Sequence, residues 1–232
     1  MEKEGIKKIF AEKGAIITND HFVYAKKADG WHHGGDYANK DAIYPFTRIV
    51  SAFCKEIADH FWGSDIKVVV GPTVGGVALA QWTAYWYYPP PNEKEILAVY
   101  ADEEDVFEEM TGGQGRVKVG TTRVLKRGYD KIVAGKLCLV VEDVINTGAT
   151  VKKTIEAIKA AGGEVYGVGA LANRSGGKVT AETLGVPELF SLLDLDMKMY
   201  KEEECPICKE RGPKSVRTDL GKGKEFLTRI GA

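Results

Sequence analysis

Residues 137–150 read LCLVVEDVINTGAT: an unbroken apolar run, two adjacent acids, then a short turn carrying hydroxyls and a glycine. Leu137 to Val141 has strand length and no polar side chain, the pattern of a strand buried on both faces of a parallel sheet. Such a strand delivers Glu142 and Asp143 at its carboxyl end, the edge where open α/β sheets bind ligands. Asn146, Thr147, Gly148, Ala149 and Thr150 then lead into a helix whose Val151, Ile155 and Ile158 fall on one face. A helix start offers free N–H groups and the positive end of a dipole, which suits a phosphate. Paired acids beside a phosphate seat point to a sugar phosphate, with carboxylates accepting from ribose hydroxyls. No Gly-Lys-Ser/Thr follows the strand, which separates this segment from a P-loop.

A second strand, Ile66 to Val70, runs into Gly71-Pro72-Thr73-Val74-Gly75-Gly76, another turn at the same sheet edge. Its glycines let backbone amides approach an anion closely. Further along, Pro89-Pro90-Pro91 ends the following helix. Ile96 to Tyr100, Val165 to Leu171 and Leu189 to Leu195 read as strands, and a helix is expected from Phe46 to Phe61. Strands alternating with helices predict an α/β fold with a central, mostly parallel sheet flanked by helices. Before them, Ile6, Ile9 and Phe10 space like a short amphipathic helix and residues 20–45 read as loop-rich. Residues 101–128 are acidic first, then Gly-rich and basic, and read as a loop or a hairpin.

The 232 residues fit one domain with a substantial core plus additions, and a hydrophobic share of 44% is ordinary for a globular protein. No apolar run approaches a membrane span, and the charged start MEKEGIKKIF lacks the apolar core of a signal peptide. A net charge of −1 argues against bulk nucleic-acid binding. The expectation is a cytoplasmic protein with neither membrane nor nucleic-acid partners. Of the four cysteines, Cys54 and Cys138 sit in core-like contexts. Cys205 and Cys208 form a C-P-I-C knuckle, two of the four ligands a zinc site would need, with no metal assigned on this ground alone. No second CxxC or CxxH completes it, so a metal shared across a dimer would have to supply the missing half.

The segment VVEDVINTGAT resembles the phosphoribosyl pyrophosphate (PRPP) signature of type I phosphoribosyltransferases, in which two acids precede a T-G-x-[ST] loop. The resemblance implies that family's fold, with an N-terminal hood segment and Mg2+ as cofactor, and the protein is expected to form a homodimer. On this reading residues 1–232 form a single domain, residues 1–62 the base-covering segment and residues 200–232 a C-terminal extension. Pro72, Thr73, Val74, Gly75 and Gly76 become the pyrophosphate loop, Asn146 to Thr150 the 5′-phosphate loop, and Glu142 and Asp143 groups for the ribose and the metal shell. Phosphoribosyl transfer needs positioning and charge neutralisation more than acid–base help, and no Ser-His-Asp or Cys-His constellation competes.

The strand ending LANRS places Arg174 where the base should lie. A guanidinium grips a carboxylate bidentately, and in orotate phosphoribosyltransferases an arginine in a comparable loop contacts the base. The resemblance therefore favours orotate, with orotidine 5′-monophosphate and pyrophosphate as products. It also makes Lys26, Lys27 and Tyr37, in a segment like that family's N-terminal loop, candidates for base or PRPP contacts. One departure stands out. Orotate enzymes usually carry an Arg-Lys pair after the third strand and a Lys-x-His-Gly loop, whereas this chain reads YADEED and has no histidine there. Acids near a pyrophosphate repel it, so that run is expected to point away. The later cations Arg116, Lys118, Arg123, Lys126 and Arg127 would neutralise pyrophosphate instead, with Lys126 and Arg127 as the catalytic pair. A purine phosphoribosyltransferase or a PRPP-sensing regulator are the alternatives, and Arg174 speaks against the first.

Overall fold

A computed structural model describes residues 2–24, 26, 30–87, 95–109 and 115–232. The chain divides into two compact units, residues 47–194 and a smaller one built from residues 1–46 and 195–232. The predicted helix from Phe46 belongs to the larger unit, and both chain ends belong to the smaller.

In the smaller unit, α1 (Lys3–Glu12) buries Ile6 and Phe10, two positions one helical turn apart. The stretch read as loop contains short strands: β1 (Ile16–Ile17), β2 (Phe22–Val23), β3 (His32–Gly34) and β4 (Tyr37–Ala38). β1 pairs antiparallel with β4, and β2 with β3. Strands of two or three residues leave no periodicity to read, which is why the sequence shows only a loop.

The larger unit opens with α2 (Thr47–His60), then β5 (Val68–Pro72), α3 (Gly75–Trp86), β6 (Leu97–Glu109), β7 (Arg116–Val124), α4 (Tyr129–Val133) and β8 (Leu137–Ile145). It continues with α5 (Ala149–Ala160), β9 (Glu164–Asn173), α6 (Ala181–Leu184) and β10 (Glu188–Asp194). The six strands form one sheet in the order β10-β9-β8-β5-β6-β7, parallel throughout except for the antiparallel β6–β7 edge. Val68, Val70, Val140 and Val168 are fully buried with Ile158 in one core, each contributing roughly 1.5–3 kcal/mol of transfer free energy. Residues 110–114, with the glycines of the predicted loop, and Pro89 to Pro91 lie outside the described residues.

Two strands outrun their apolar cores. β8 continues through Glu142 and Asp143 to Ile145 because its partner β9 extends with it, Ile145 pairing with Asn173. The acids therefore lie within the strand, 7% and 3% exposed, rather than just beyond it. β6 runs to Glu109 because β7 pairs with its acidic half, Glu103 opposite Arg123.

The C-terminal segment completes the smaller unit with β11 (Tyr200–Lys201), α7 (Pro206–Arg211) and α8 (Gly223–Arg229). β11 joins β3, giving a three-stranded antiparallel sheet in the order β11-β3-β2. Val23, Val216 and Phe226 form a small core there, with Trp31 and Leu227 packed against it. Among the described residues, no helix is long and apolar enough to cross a membrane.

Candidate active site

The chain leaves β5 toward β6 on one side and only later adds β8 on the other. Strand order reverses between β5 and β8, and at such a point the loops after the two strands part and leave a crevice at the carboxyl edge of the sheet. Both turns singled out in the sequence, 72–76 and 146–150, lie at this edge.

The first turn passes from β5 into α3 with almost no space. A Cβ on Gly71 would lie 1.9 Å from the Gly76 carbonyl oxygen, and one on Gly76 would lie 2.7 Å from Pro72 Cδ. The Thr73–Val74 peptide is cis. Arg123, on β7, reaches this turn. Its Nη1 donates to the Thr73 carbonyl oxygen at 3.0 Å and to Thr73 Oγ1 at 2.9 Å, while Nη2 donates to Glu103 Oε2 at 3.2 Å. The side chain is only 8% exposed, so a cation is seated under the proposed pyrophosphate loop.

The second turn enters α5 through Gly148, whose φ of 74° places it in the left-handed region. A side chain there would be strained, and its Cβ would lie 3.2 Å from both Leu184 Cδ2 and Val179 Cγ1. Gly148 has no side chain with which to cap this helix, and Thr147 Oγ1 accepts from the Ala149 N–H at 3.4 Å, so the other first-turn amides are left for another acceptor. They border a cavity of about 210 Å³ lined by Glu142, Val144 and residues 145–151. That is below the roughly 300–1,000 Å³ of pockets that enclose a whole small ligand, and it suits one charged group of a larger one. Glu142 lines the cavity. Asp143, the next residue along, is not among its lining residues. A larger cavity of about 520 Å³ lies between the end of α3 and the start of β6, lined by Gln81, Tyr85, Trp86 and Leu97 among others. Among the described residues, Glu95 is its one carboxylate, whereas the smaller cavity is bordered by the second turn and Glu142.

Arg174 follows β9 directly, and its N–H donates to the Ile145 carbonyl oxygen at 2.8 Å, one residue before the second turn. Asn173 closes the loop beyond, donating to the Val179 carbonyl oxygen at 3.1 Å and accepting from the Ser175 N–H at 3.1 Å. The backbone of Arg174 is thereby fixed beside the second turn.

The acidic run pairs with the basic residues. Asp102 with Arg127, Glu103 with Arg123, Glu104 with Lys126 at 3.1 Å and Asp105 with Lys118 at 2.5 Å make a ladder of ion pairs. Cross-strand pairing of opposite charges overcomes the repulsion that reading β6 alone suggests. Lys126 and Arg127 each hold a carboxylate partner, and Arg123 is the cation that touches the loop. In the sequence, nothing sets Arg123 apart from its four basic neighbours, since its contact lies 50 residues away.

Lys26 is exposed, and Tyr37 is half-buried with its ring 5.0 Å from that of Phe22, both within the smaller unit. Lys27 lies outside the described residues. Burial pushes the thiols of Cys54 and Cys138 up to about 12, so neither supplies a thiolate nucleophile at neutral pH.

Two glycine-bearing turns flank buried acids at the switch point of a parallel sheet, an arrangement of the kind that α/β proteins use to bind ligands. The chain belongs to the phosphoribosyltransferase family: the phosphoribosyl transferase domain matches residues 39–184. It is 36% identical over 213 residues to the orotate phosphoribosyltransferase of Caldanaerobacter subterraneus subsp. tengcongensis, covering 92% of this chain and 95% of that protein. Among solved structures, the orotate phosphoribosyltransferase of Aeropyrum pernix superposes with a TM-score of 0.55 at 19% identity, covering 97% of this chain and 98% of that one. The adenine phosphoribosyltransferase of Thermoanaerobacter pseudethanolicus gives 0.56 at 14% identity, covering 84% of this chain and all (100%) of that one. The fold is thus that of type I phosphoribosyltransferases, and it is shared by enzymes acting on different bases.

Proposed function

We propose that this protein transfers the 5-phosphoribosyl group from PRPP to orotate, forming orotidine 5′-monophosphate and releasing pyrophosphate. The observation that carries the reading is the placement of turns 72–76 and 146–150 on neighbouring strands at one sheet edge, with Arg174 anchored beside the second. PRPP needs two separate anion seats, and orotate carries a carboxylate that suits a guanidinium. Similarity to orotate phosphoribosyltransferase over 92% of the chain supports the choice of base.

In this reading, the amides and hydroxyls of Thr147, Gly148 and Thr150 hold the 5′-phosphate, and Glu142 and Asp143 hold the ribose hydroxyls. Pro72 to Gly76 receive the pyrophosphate, with Arg123 beneath them and Lys126 and Arg127 nearby on the chain. Lys26, Lys27 and Tyr37 are proposed to contribute to base or PRPP binding. The carboxylates of Glu142 and Asp143 are hard oxygen donors of the kind magnesium takes. Mg2+, when bound, would neutralise pyrophosphate charge as the C1′–oxygen bond breaks. A cytoplasmic homodimer completes the proposal. A steady-state assay with PRPP, Mg2+ and each base in turn tests it: turnover with orotate is expected, and turnover with adenine or hypoxanthine but not orotate would establish the purine reading instead. Sedimentation of the purified protein checks the dimer.

A further inference from the structure

The C-P-I-C knuckle lies in the smaller unit, and it is not alone. Cys205 and Cys208 converge with His21 and His33 of the same chain, and the four ligand atoms lie within 4.8 Å of one another. His21 Nε2 stands 3.1 Å from His33 Nδ1, 3.7 Å from Cys205 Sγ and 3.5 Å from Cys208 Sγ, and Cys208 Sγ is 3.2 Å from His33 Nδ1. A tetrahedral zinc with Zn–S near 2.3 Å and Zn–N near 2.0–2.1 Å sets about 3.3 Å between nitrogens and about 3.6 Å between nitrogen and sulfur. The observed separations match that cage within a few tenths of an ångström. The half-site that the sequence left to a dimer partner is completed within the chain.

Hydrogen bonding shows which lone pair points inward. Ser215 Oγ has one proton, which it donates to the Gly212 carbonyl oxygen at 2.7 Å. The same oxygen must then accept from His21 Nδ1 at 2.7 Å, so Nδ1 carries the ring proton and Nε2 is bare. This is the outer-shell arrangement that orients a metal-ligating histidine. The Cys208 N–H points to Cys205 Sγ at 3.4 Å, stabilising negative charge on that sulfur. Without a metal, one bare nitrogen would face two thiols and a second imidazole with a single lone pair to offer. A divalent cation satisfies all four atoms together. Two thiolates and two neutral imidazoles also cancel its charge, which makes burial tolerable.

We infer that His21, His33, Cys205 and Cys208 form a closed, structural Zn2+ site that clamps the N-terminal segment of the smaller unit to its C-terminal segment. Tetrahedral S2N2 donors favour zinc over magnesium or calcium. With no open position, the site has no catalytic vacancy. The clamp has a physical purpose. It joins residues 184 and 175 positions apart, and closing so long a loop removes much chain entropy from the unfolded state. The core it supports, Val23, Val216 and Phe226, is small, and small cores are commonly reinforced by a metal. The His33 ring meets Phe226 edge to face at 4.7 Å, tying cage to core.

The test uses the full-length protein purified without chelator. Metal analysis should find one zinc per chain, and X-ray absorption should resolve two sulfur and two nitrogen neighbours at about 2.3 and 2.0–2.1 Å. Cobalt exchanged for zinc should give the visible ligand-field bands of a tetrahedral dithiolate site. Cys208→Ser should lose most of the metal, whereas Cys208→His, which keeps four ligands, should retain it with a one-sulfur spectrum. The spectra of the unmutated protein keep the test independent of whether a variant folds. The inference is overturned by a protein that binds neither zinc nor cobalt in stoichiometric amount, by a Cys205–Cys208 disulfide in the freshly isolated protein, or by a metal environment lacking sulfur. None of these outcomes depends on the assignment of orotate.

Discussion

Arg123→Met removes a cation whose contact with the proposed pyrophosphate loop only the tertiary structure reveals. Two hydrogen bonds to Thr73 hold the loop against β7, and the Glu103 pair is a third contact. Hydrogen bonds from a charged donor contribute about 1.5–3 kcal/mol each when buried. Thr73 is only partly buried, so water would replace some of that interaction. Glu103 is 54% exposed, and a pair of that kind contributes about 0–1 kcal/mol. The net loss is then roughly 2–3 kcal/mol, or about 30- to 150-fold in kcat/KM for PRPP. Arg123→Lys keeps the charge but not the planar fork that spans Thr73 and Glu103, and should recover only part of this. The assay titrates PRPP at saturating orotate and measures pyrophosphate binding by calorimetry, alongside a melting curve. Both PRPP and pyrophosphate should weaken while the orotate KM stays close to wild type, and the melting temperature should fall by the few degrees that an intramolecular loss of this size produces. A change of less than twofold in PRPP titration would refute the idea that Arg123 shapes this loop. An equal fall in orotate and PRPP affinity would make it a purely structural ion pair.

Arg174→Ala should cut orotate turnover by well over tenfold and leave PRPP affinity nearly unchanged, since losing one partner of a desolvated charge pair costs about 2–5 kcal/mol; paired titrations of orotate and PRPP check it, and unchanged orotate kinetics would raise the purine reading. Glu142→Gln and Asp143→Asn should keep the fold yet each lose about 2.7–4 kcal/mol of transition-state stabilisation, as for removal of one preorganised electrostatic partner. Wild-type turnover in either purified variant would rule that residue out of the ribose site. Gly148→Ala forces a Cβ into the left-handed region against Leu184 and Val179, with a strain of about 1–3 kcal/mol. It should empty the turn of phosphate in a crystal grown with phosphate, where the parent protein shows a bound anion.

The sequence alone determined the local chemistry. A strand of fully apolar residues, two acids and a hydroxyl-bearing turn into a helix occupy consecutive positions, so 137–150 declares its strand–turn–helix form without a partner, and 68–76 does nearly the same. Helix and strand periods are likewise local, which is why α2, α5 and the central strands lie within a few residues of their expected places. Tertiary structure decided whatever depends on pairing between distant residues. Ile145 extends β8 because Asn173 lies beside it, and the acids of β6 find cations because β7 returns in register. Arg123 reaches Thr73 from 50 residues away. Above all, His21 and His33 have no ligand spacing with Cys205 and Cys208 along the chain, and become neighbours only when β3 and β11 pair and bring the two chain ends into one unit. Spacing along a chain records contacts within a turn of helix or strand, whereas a metal cage records distances in space.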